Sequence, residues 1–121
     1  MNSQIDVGII YEILVSWAVK NKPQSYTDLS HEYYLKTGEW YAAHGSWDQP
    51  LGTLNNMLAK ANAPAITALV VRQDNNEPGG NFWGCASNVP AKPKGELARL
   101  SEWTKIVGDV CAYTWPSTIP V

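Results

Sequence analysis

The chain has 121 residues, of which 45% are hydrophobic and 17% charged, and its formal net charge is −2. This composition excludes a disordered chain, which would be more polar and more highly charged, and it excludes a polybasic nucleic-acid-binding arm. The length predicts a single domain over residues 1–121 with enough chain to form a hydrophobic core.

The first predicted element is a helix over residues 4–20. Ile5, Ile9, Ile13 and Trp17 recur at steps of four and form an apolar stripe. The residues before this stripe lack the basic region of a secretory signal, and the chain has no run of 18 apolar residues. We therefore expect a cytoplasmic protein with no membrane partner.

Two more helices are predicted in the first half of the chain. Thr27 is expected to cap the second helix, which ends at Gly38, a residue type favoured just after a helix. A loop rich in aromatic residues follows. The third helix is expected over residues 51–61, with a buried stripe formed by Leu51, Leu54 and Leu58.

The second half of the chain predicts a hairpin and a last helix. Residues 66–71 have the highest β propensity, and residues 81–84 are expected to return antiparallel after an Asn-, Pro- and Gly-rich turn. The last helix is expected over about residues 94–113, and its apolar side is formed by Leu97, Leu100, Val107, Val110 and Cys111. Three helices, a hairpin wing and a C-terminal helix predict an α+β, winged-helix-like domain.

The second helix begins with Tyr26-Thr27-Asp28-Leu29-Ser30, the third contains Leu51-Gly52-Thr53-Leu54, and a Gly-rich turn follows residues 64–71. Over roughly residues 25–100, this pattern resembles the winged-helix domain of DNA alkyltransferases and alkyltransferase-like proteins. The chain has Ala65 where that family has its nucleophilic cysteine, and Gln49 where it has its arginine finger. The resemblance therefore implies a DNA-binding scaffold that does not transfer alkyl groups.

A second resemblance concerns residues 63–71 and the turn Pro78-Gly79-Gly80, which is followed by Phe82. These segments are similar to small uncharacterised bacterial proteins that occur on mobile elements. That resemblance implies no activity.

The sequence contains no motif that indicates catalysis. Leu35 stands where a second histidine would complete an H-E-x-x-H metal site, and the Gly-rich turn lacks the lysine of a phosphate-binding loop. Cys85 and Cys111 are too few for a disulfide framework and are expected to be reduced thiols. We therefore expect a non-enzymatic protein with no catalytic residue, metal site or cofactor.

Polar residues on the third helix and the predicted wing are the candidates for reading base edges of duplex DNA. They are Gln49, Asn55, Asn56, Lys60, Arg72 and Gln73. Only Lys60 and Arg72 carry positive charge, so binding is expected to be weak with a shallow salt dependence. The alternative is a solvated helix face with no nucleic-acid partner.

Aromatic residues suggest a different kind of binding surface, because Tyr and Trp often anchor protein interfaces. The candidates are Trp40, Tyr41, Trp47 and Trp83. They predict a protein-interaction or homodimerisation module as the alternative to DNA binding. A third interpretation is a small-molecule pocket among Trp40, Tyr41 and Trp47, and a fourth is a core built from Trp in place of Phe.

Overall fold

The computed structural model describes residues 5–43, 45–79 and 82–120 and has an α+β architecture. Its four α-helices are α1 (Val7–Val19), α2 (Tyr26–Thr37), α3 (Asp48–Lys60) and α4 (Glu96–Ala112). Two short strands, β1 (Gln24–Ser25) and β2 (Val70–Val71), form one sheet, and a 3₁₀ helix (Ile66–Leu69) precedes β2. None of the helices in these ranges is long and apolar enough to cross a membrane.

Side-chain hydrogen bonds cap the starts of α1 and α2. The Asp6 side chain caps α1 by accepting a hydrogen bond of 2.8 Å from the Gly8 N–H. A capping box starts α2, because Ser25 Oγ accepts from the Asp28 N–H while the Asp28 carboxylate accepts from the Ser25 N–H. Gly38 ends α2 at φ 76°, as predicted. The expected cap at Thr27 is wrong by two residues.

The predicted hairpin is wrong over the described residues. Val70 and Val71 pair in parallel with Gln24 and Ser25, not with a returning strand, and residues 82–84 form turns. Asn81, the first residue of the expected return strand, lies outside the described residues. Every residue from 66 to 71 is buried, and a short apolar run of this kind does not reveal whether it is strand or helix.

The core lies around α1, which packs against the other three helices and the 3₁₀ helix. From α1 it takes Ile10, Tyr11, Ile13, Leu14, Trp17 and Ala18. The predicted leucine stripe of α3 is confirmed, since its three leucines are buried. Near-complete burial of a leucine or isoleucine side chain contributes about 1.5–3 kcal/mol relative to exposure, so this cluster supplies much of the driving force for folding.

Only the C-terminal part of α4 is buried as expected. Val107 and Val110 are buried together with Ile106, which the predicted stripe omitted. Leu97 and Leu100 are 82% and 51% exposed, so their assignment to the core is wrong. Leu100 lies seven residues before Val107 and therefore on the same side of the helix. The segments that bury Val107 therefore do not extend over the first turns of α4.

Candidate binding surfaces

The exposed side of α3 carries most of the predicted DNA-contacting residues of that helix. Gln49, Asn56 and Lys60 are exposed, and Thr53 lies between them at helical spacing. We call these four residues the α3 stripe. Asn55 faces the opposite way and is buried, so its prediction as a base-reading residue is wrong. Adjacent residues on a helix point about 100° apart, which is why Asn55 and Asn56 have different environments.

Arg72 and Gln73 are exposed directly after β2, but they do not lie on a hairpin wing. The chain turns back on itself here, since the Arg72 N–H donates to the Glu77 carbonyl at 2.8 Å. The Arg72 guanidinium lies 2.9 Å from a carboxylate oxygen of Asp74. Part of its charge is therefore already balanced within the chain.

Trp47 is a core residue, and its prediction as a partner anchor is wrong. It is fully buried, and its ring packs edge-on against those of Tyr33 and Tyr41 at centroid distances of 5.4 and 6.0 Å. Its indole Nε1–H donates a hydrogen bond of 2.9 Å to Ser30 Oγ. A buried Trp usually needs such a partner for its N–H, and the serine of α2 provides it.

The other predicted anchors divide between the core and the surface. Tyr41 is half-buried against the Trp47 and Tyr33 rings, and Trp83 is half-buried beside Phe82 at 5.2 Å. Trp40 is 54% exposed. Trp40 packs on the outer side of α2, whereas Trp47 lies in the core, so the proposed pocket among Trp40, Tyr41 and Trp47 does not form.

Trp40 belongs to an exposed apolar surface that was not predicted from the sequence. His31, Tyr34 and Leu35 share one side of α2, and the Trp40 ring packs against His31 and Tyr34 at 5.5 and 6.3 Å. Leu35 is 76% exposed. We call these four residues the α2 face. The spacing of three and four residues in α2 places these side chains on one side of the helix. The sequence of α2 does not indicate that this side is exposed to solvent.

A second exposed apolar surface lies on the first turns of α4. It consists of Leu97 and Leu100, together with the exposed lysines Lys94 and Lys105 that precede and follow them in the chain. We call these four residues the α4 face. Exposed leucines grouped on one helix side often mark an interaction surface, whereas scattered ones need no explanation.

A small slot opens beside the buried side of α3. It is lined by Tyr26, Asp48, Leu51, Gly52, Asn55, Thr67, Phe82 and Cys85, and its volume is about 20 Å³. Asn55 Nδ2–H donates to Thr67 Oγ1 and, at 3.3 Å, to Cys85 Sγ. Within the described part of the chain, its Oδ1 is buried and has no hydrogen-bond partner. We call this feature the Asn55 slot.

Tyr26 is one of the residues that line the slot, and its hydroxyl is hydrogen-bonded to the chain beyond β2. Its oxygen accepts a hydrogen bond of 3.1 Å from the Gly79 N–H. Burial raises the pKa of Tyr26 above 10.0, the Gly79 bond lowers it, the Asp48 carboxylate raises it and Arg72 lowers it, in decreasing order of size, and the net direction is upward. The neutral phenol is therefore favoured in the folded chain.

A scan against protein-family models, a search of curated proteins and a search of solved structures found no match to this chain. Its function is therefore inferred from the α2 face, the α4 face and the α3 stripe.

Proposed function

We propose that this chain is a non-enzymatic, cytoplasmic binding module that associates with a second copy of itself, the α2 face of one copy meeting the α4 face of the other. One observation carries the proposal: the chain exposes two apolar surfaces whose surrounding charges are opposite in sign. The two free cysteines, Cys85 and Cys111, are compatible with a reducing compartment.

The α2 face is acidic. Asp28, Glu32 and Glu39 lie in or just after α2, and Lys36 is the one cation among residues 26–40. Asp28 is engaged in the capping box at the start of the helix. Glu32 is half-buried and Glu39 is exposed, and a Glu39 carboxylate oxygen accepts a hydrogen bond of 3.5 Å from the Tyr41 hydroxyl.

The α4 face is basic. Residues 92–105 contain Lys92, Lys94, Arg99 and Lys105 against two acidic residues. The Arg99 guanidinium lies 2.9 Å from a Glu77 carboxylate oxygen, so its charge is satisfied within the chain. Lys94 and Lys105, which precede and follow these leucines in the chain, are exposed.

Contact between the two faces would combine two physical effects. Burying Leu35, Trp40, Leu97 and Leu100 removes apolar surface from water, which gains roughly 25 cal/mol per Å². The opposite charges steer the approach and fix the orientation, although exposed ion pairs add little affinity by themselves. In a closed two-fold dimer, each contact occurs twice.

The first test measures molecular mass against protein concentration by sedimentation velocity and light scattering, at low and high salt. We expect Trp40→Ala and Leu97→Ser to weaken association about tenfold or more, because aromatic and apolar anchors dominate interface energetics. Val19→Ser is the matched control, since Val19 is 79% exposed but belongs to neither face. A wild-type chain that stays monomeric at high concentration, or a control that weakens association equally, would contradict the proposal.

A charge-reversal experiment tests the pairing of the two faces. Glu39→Lys puts like charges opposite each other in a homodimer, and so does Lys94→Glu, so each variant alone should associate less than the wild type. A mixture of the two variants restores opposite charges at both contacts of the dimer. Recovery in the mixture supports the pairing of these faces, and a mixture as weak as its components would exclude it.

The α3 stripe favours DNA binding as a second candidate function. The stripe presents amide, hydroxyl and ammonium groups on one exposed helix side, and such groups can donate to base edges in the major groove. Lys60 is the cation of the stripe, and Arg72 is partly balanced by Asp74. Few phosphate contacts predict weak affinity with a shallow salt slope.

Fluorescence anisotropy with a short duplex at low salt tests this second function. Binding that is lost in Lys60→Ala but retained in Lys105→Ala would support contact through the α3 stripe. Absence of binding by the wild type, or equal loss in both variants, would exclude the stripe as a specific DNA-contacting surface.

A further inference from the structure

We propose that a cleft between α1 and the end of α4 binds a short uncharged peptide segment, and that this segment is residues 114–120 of a second copy of the chain. In the single copy the cleft holds the chain's own residues 114–120, which we call the strap. The inference goes beyond the proposed function, because neither the strap nor the cleft contains a residue of the α2 face or the α4 face.

The contacts of the strap define the cleft. The Tyr11 hydroxyl of α1 donates a hydrogen bond of 2.6 Å to the Pro116 carbonyl, and Trp115 Nε1–H donates one of 2.9 Å to the Val110 carbonyl of α4. The Trp115 ring also meets the Tyr11 ring edge-on, at a centroid distance of 6.0 Å. The indole therefore contacts both helices, and the cleft lies where they meet.

The cleft matches a segment with particular chemistry. Tyr11 is only 1% exposed, so its hydroxyl requires an acceptor, and the strap supplies a backbone carbonyl. Trp115 and Ile119 are half-buried and pack against the core. The strap carries no charged residue. An occupant of this cleft therefore needs an indole, a carbonyl directly after it and an aliphatic side chain four residues beyond the indole.

The attachment of the strap favours exchange. The strap belongs to no helix or strand, and four of its seven residues are exposed. Within the described part of the chain, the bond from Tyr11 is the one hydrogen bond that joins the strap to a segment other than α4. Pro116 and Pro120 have no backbone N–H to donate. Segments with few backbone hydrogen bonds and partial burial open at low free energy, so the strap leaves the cleft while the helices stay folded.

A second copy is the occupant because it carries the one sequence that the structure places in the cleft. If two copies exchange straps around a two-fold axis, every contact of strap and cleft is retained and occurs twice. Exchange competes with the copy's own strap, whose effective concentration is about millimolar for a short linker. We therefore expect exchange near that protein concentration. Because the strap is uncharged, we expect no dependence on salt.

The cleft is tested by fluorescence anisotropy with a labelled peptide of residues 113–120 and full-length chains. Trp115→Ala removes the main anchor of the chain's own strap, so this variant should bind the peptide saturably and about tenfold or more tighter than the wild type, whose cleft is filled. Ile119→Ser weakens the second anchor without altering a helix and should also bind more tightly than the wild type. Trp40→Ala is the control at an exposed indole outside the cleft and should bind as weakly as the wild type.

Two further comparisons locate the peptide. Adding Tyr11→Phe to the Ile119→Ser chain removes the donor to the strap carbonyl and should weaken peptide binding about fivefold. A peptide that carries Trp115→Ala should not bind to any of the chains. Equal binding of the two peptides would overturn the proposal. So would the absence of saturable binding to both strap variants in chains whose circular dichroism is still helical.

The second copy is tested by light scattering at about 0.1 and 1 mM, a range that reaches the effective concentration of a tethered segment. The chain carries Trp40→Ala and Leu97→Ser, so that the α2 and α4 faces do not contribute. We expect a dimer that increases with concentration, is equal at low and high salt, and disappears when Trp115→Ala is added. A chain that stays monomeric excludes the second copy as occupant even where the peptide binds, and a dimer that survives Trp115→Ala places the contact elsewhere. Either result overturns this inference and leaves the pairing of the two faces to its own test.

Discussion

Trp47 illustrates how a residue that looks like an interface anchor can belong to the core. Because it is fully buried and its N–H is bonded to Ser30, we expect Trp47→Ala to lower the free energy of unfolding by about 3–5 kcal/mol. Urea denaturation of the purified chain measures the change. Trp40→Ala is the control at an exposed indole and should cost far less. Similar losses in the two variants would contradict the burial of Trp47.

A glycine is required at position 79 because the Tyr26 hydroxyl lies too close to leave room for a side chain. The backbone angles at this position are not the reason. A Cβ built on it would lie 2.6 Å from the Tyr26 hydroxyl oxygen, well inside van der Waals contact. The Tyr26 ring is largely buried and cannot simply move away, so Gly79→Ala should destabilise the chain by about 1–3 kcal/mol. Gly79 is not among the glycines that adopt a positive φ in the described part of the chain.

Gly108 provides the matched comparison. It lies within α4, and a Cβ there would meet nothing within 4 Å. Gly108→Ala should therefore stabilise the chain by up to about 1 kcal/mol through helix propensity. Thermal unfolding of the two alanine variants should thus move in opposite directions, and a gain in melting temperature for Gly79→Ala would exclude the steric argument.

At the scale of elements, Ser25 connects α2 to the sheet. Its side chain caps α2, and its backbone belongs to β1, which pairs with Val71. Ser25→Ala removes the cap and should cost about 1 kcal/mol, measured by urea denaturation. Thr27→Ala is the control, because Thr27 was the cap expected from the sequence. A larger loss at Thr27 than at Ser25 would contradict the observed capping box.

The helices could be predicted from the sequence because their signals are local. The leucine stripe of α3 and the stop at Gly38 follow from spacing and residue type alone. The parallel pairing of β1 with β2 could not be predicted, since it joins residues about 46 positions apart and two-residue strands leave almost no periodic signal. Within the apolar run over residues 66–71, Val70 and Val71 form a strand as expected, whereas residues 66–69 form a 3₁₀ helix.

The candidate sites were predictable only in part, because side-chain environment depends on what covers each helix. Asn55 and Asn56 are neighbours of the same residue type, yet one is buried against Thr67 and the other is exposed on the α3 stripe. Leu97 and Leu100 have the spacing of core residues, but no other segment packs over them and they are exposed. The Asn55 slot combines residues from α2, α3, the 3₁₀ helix and the loop at Cys85, and no local pattern in the sequence brings these segments together.

At the scale of the whole molecule, Tyr26 links stability to alkaline pH. Its hydroxyl connects α2 to the loop at Gly79, and burial is the largest reason why its pKa is raised above 10.0 in the folded chain. A tyrosine whose folded pKa exceeds its unfolded pKa binds its proton longer in the folded state. Its contribution is therefore fully present below the unfolded value, near 10, and is lost as pH rises through the folded value.

Comparison of the wild type with Tyr26→Phe isolates this contribution. The variant lacks the titrating hydroxyl and the bond to Gly79, so at about pH 8 it should be less stable than the wild type by roughly 1 kcal/mol. As pH rises above the unfolded value near 10 and through the folded pKa, the wild type loses the Tyr26 contribution while the variant has none to lose, and the difference should shrink. Burial also raises the pKa of Tyr11, but Tyr11 is present in both chains and its effect cancels. Urea midpoints across this pH range give the result, and a difference that stays constant or widens would show that the folded chain does not favour the neutral phenol of Tyr26.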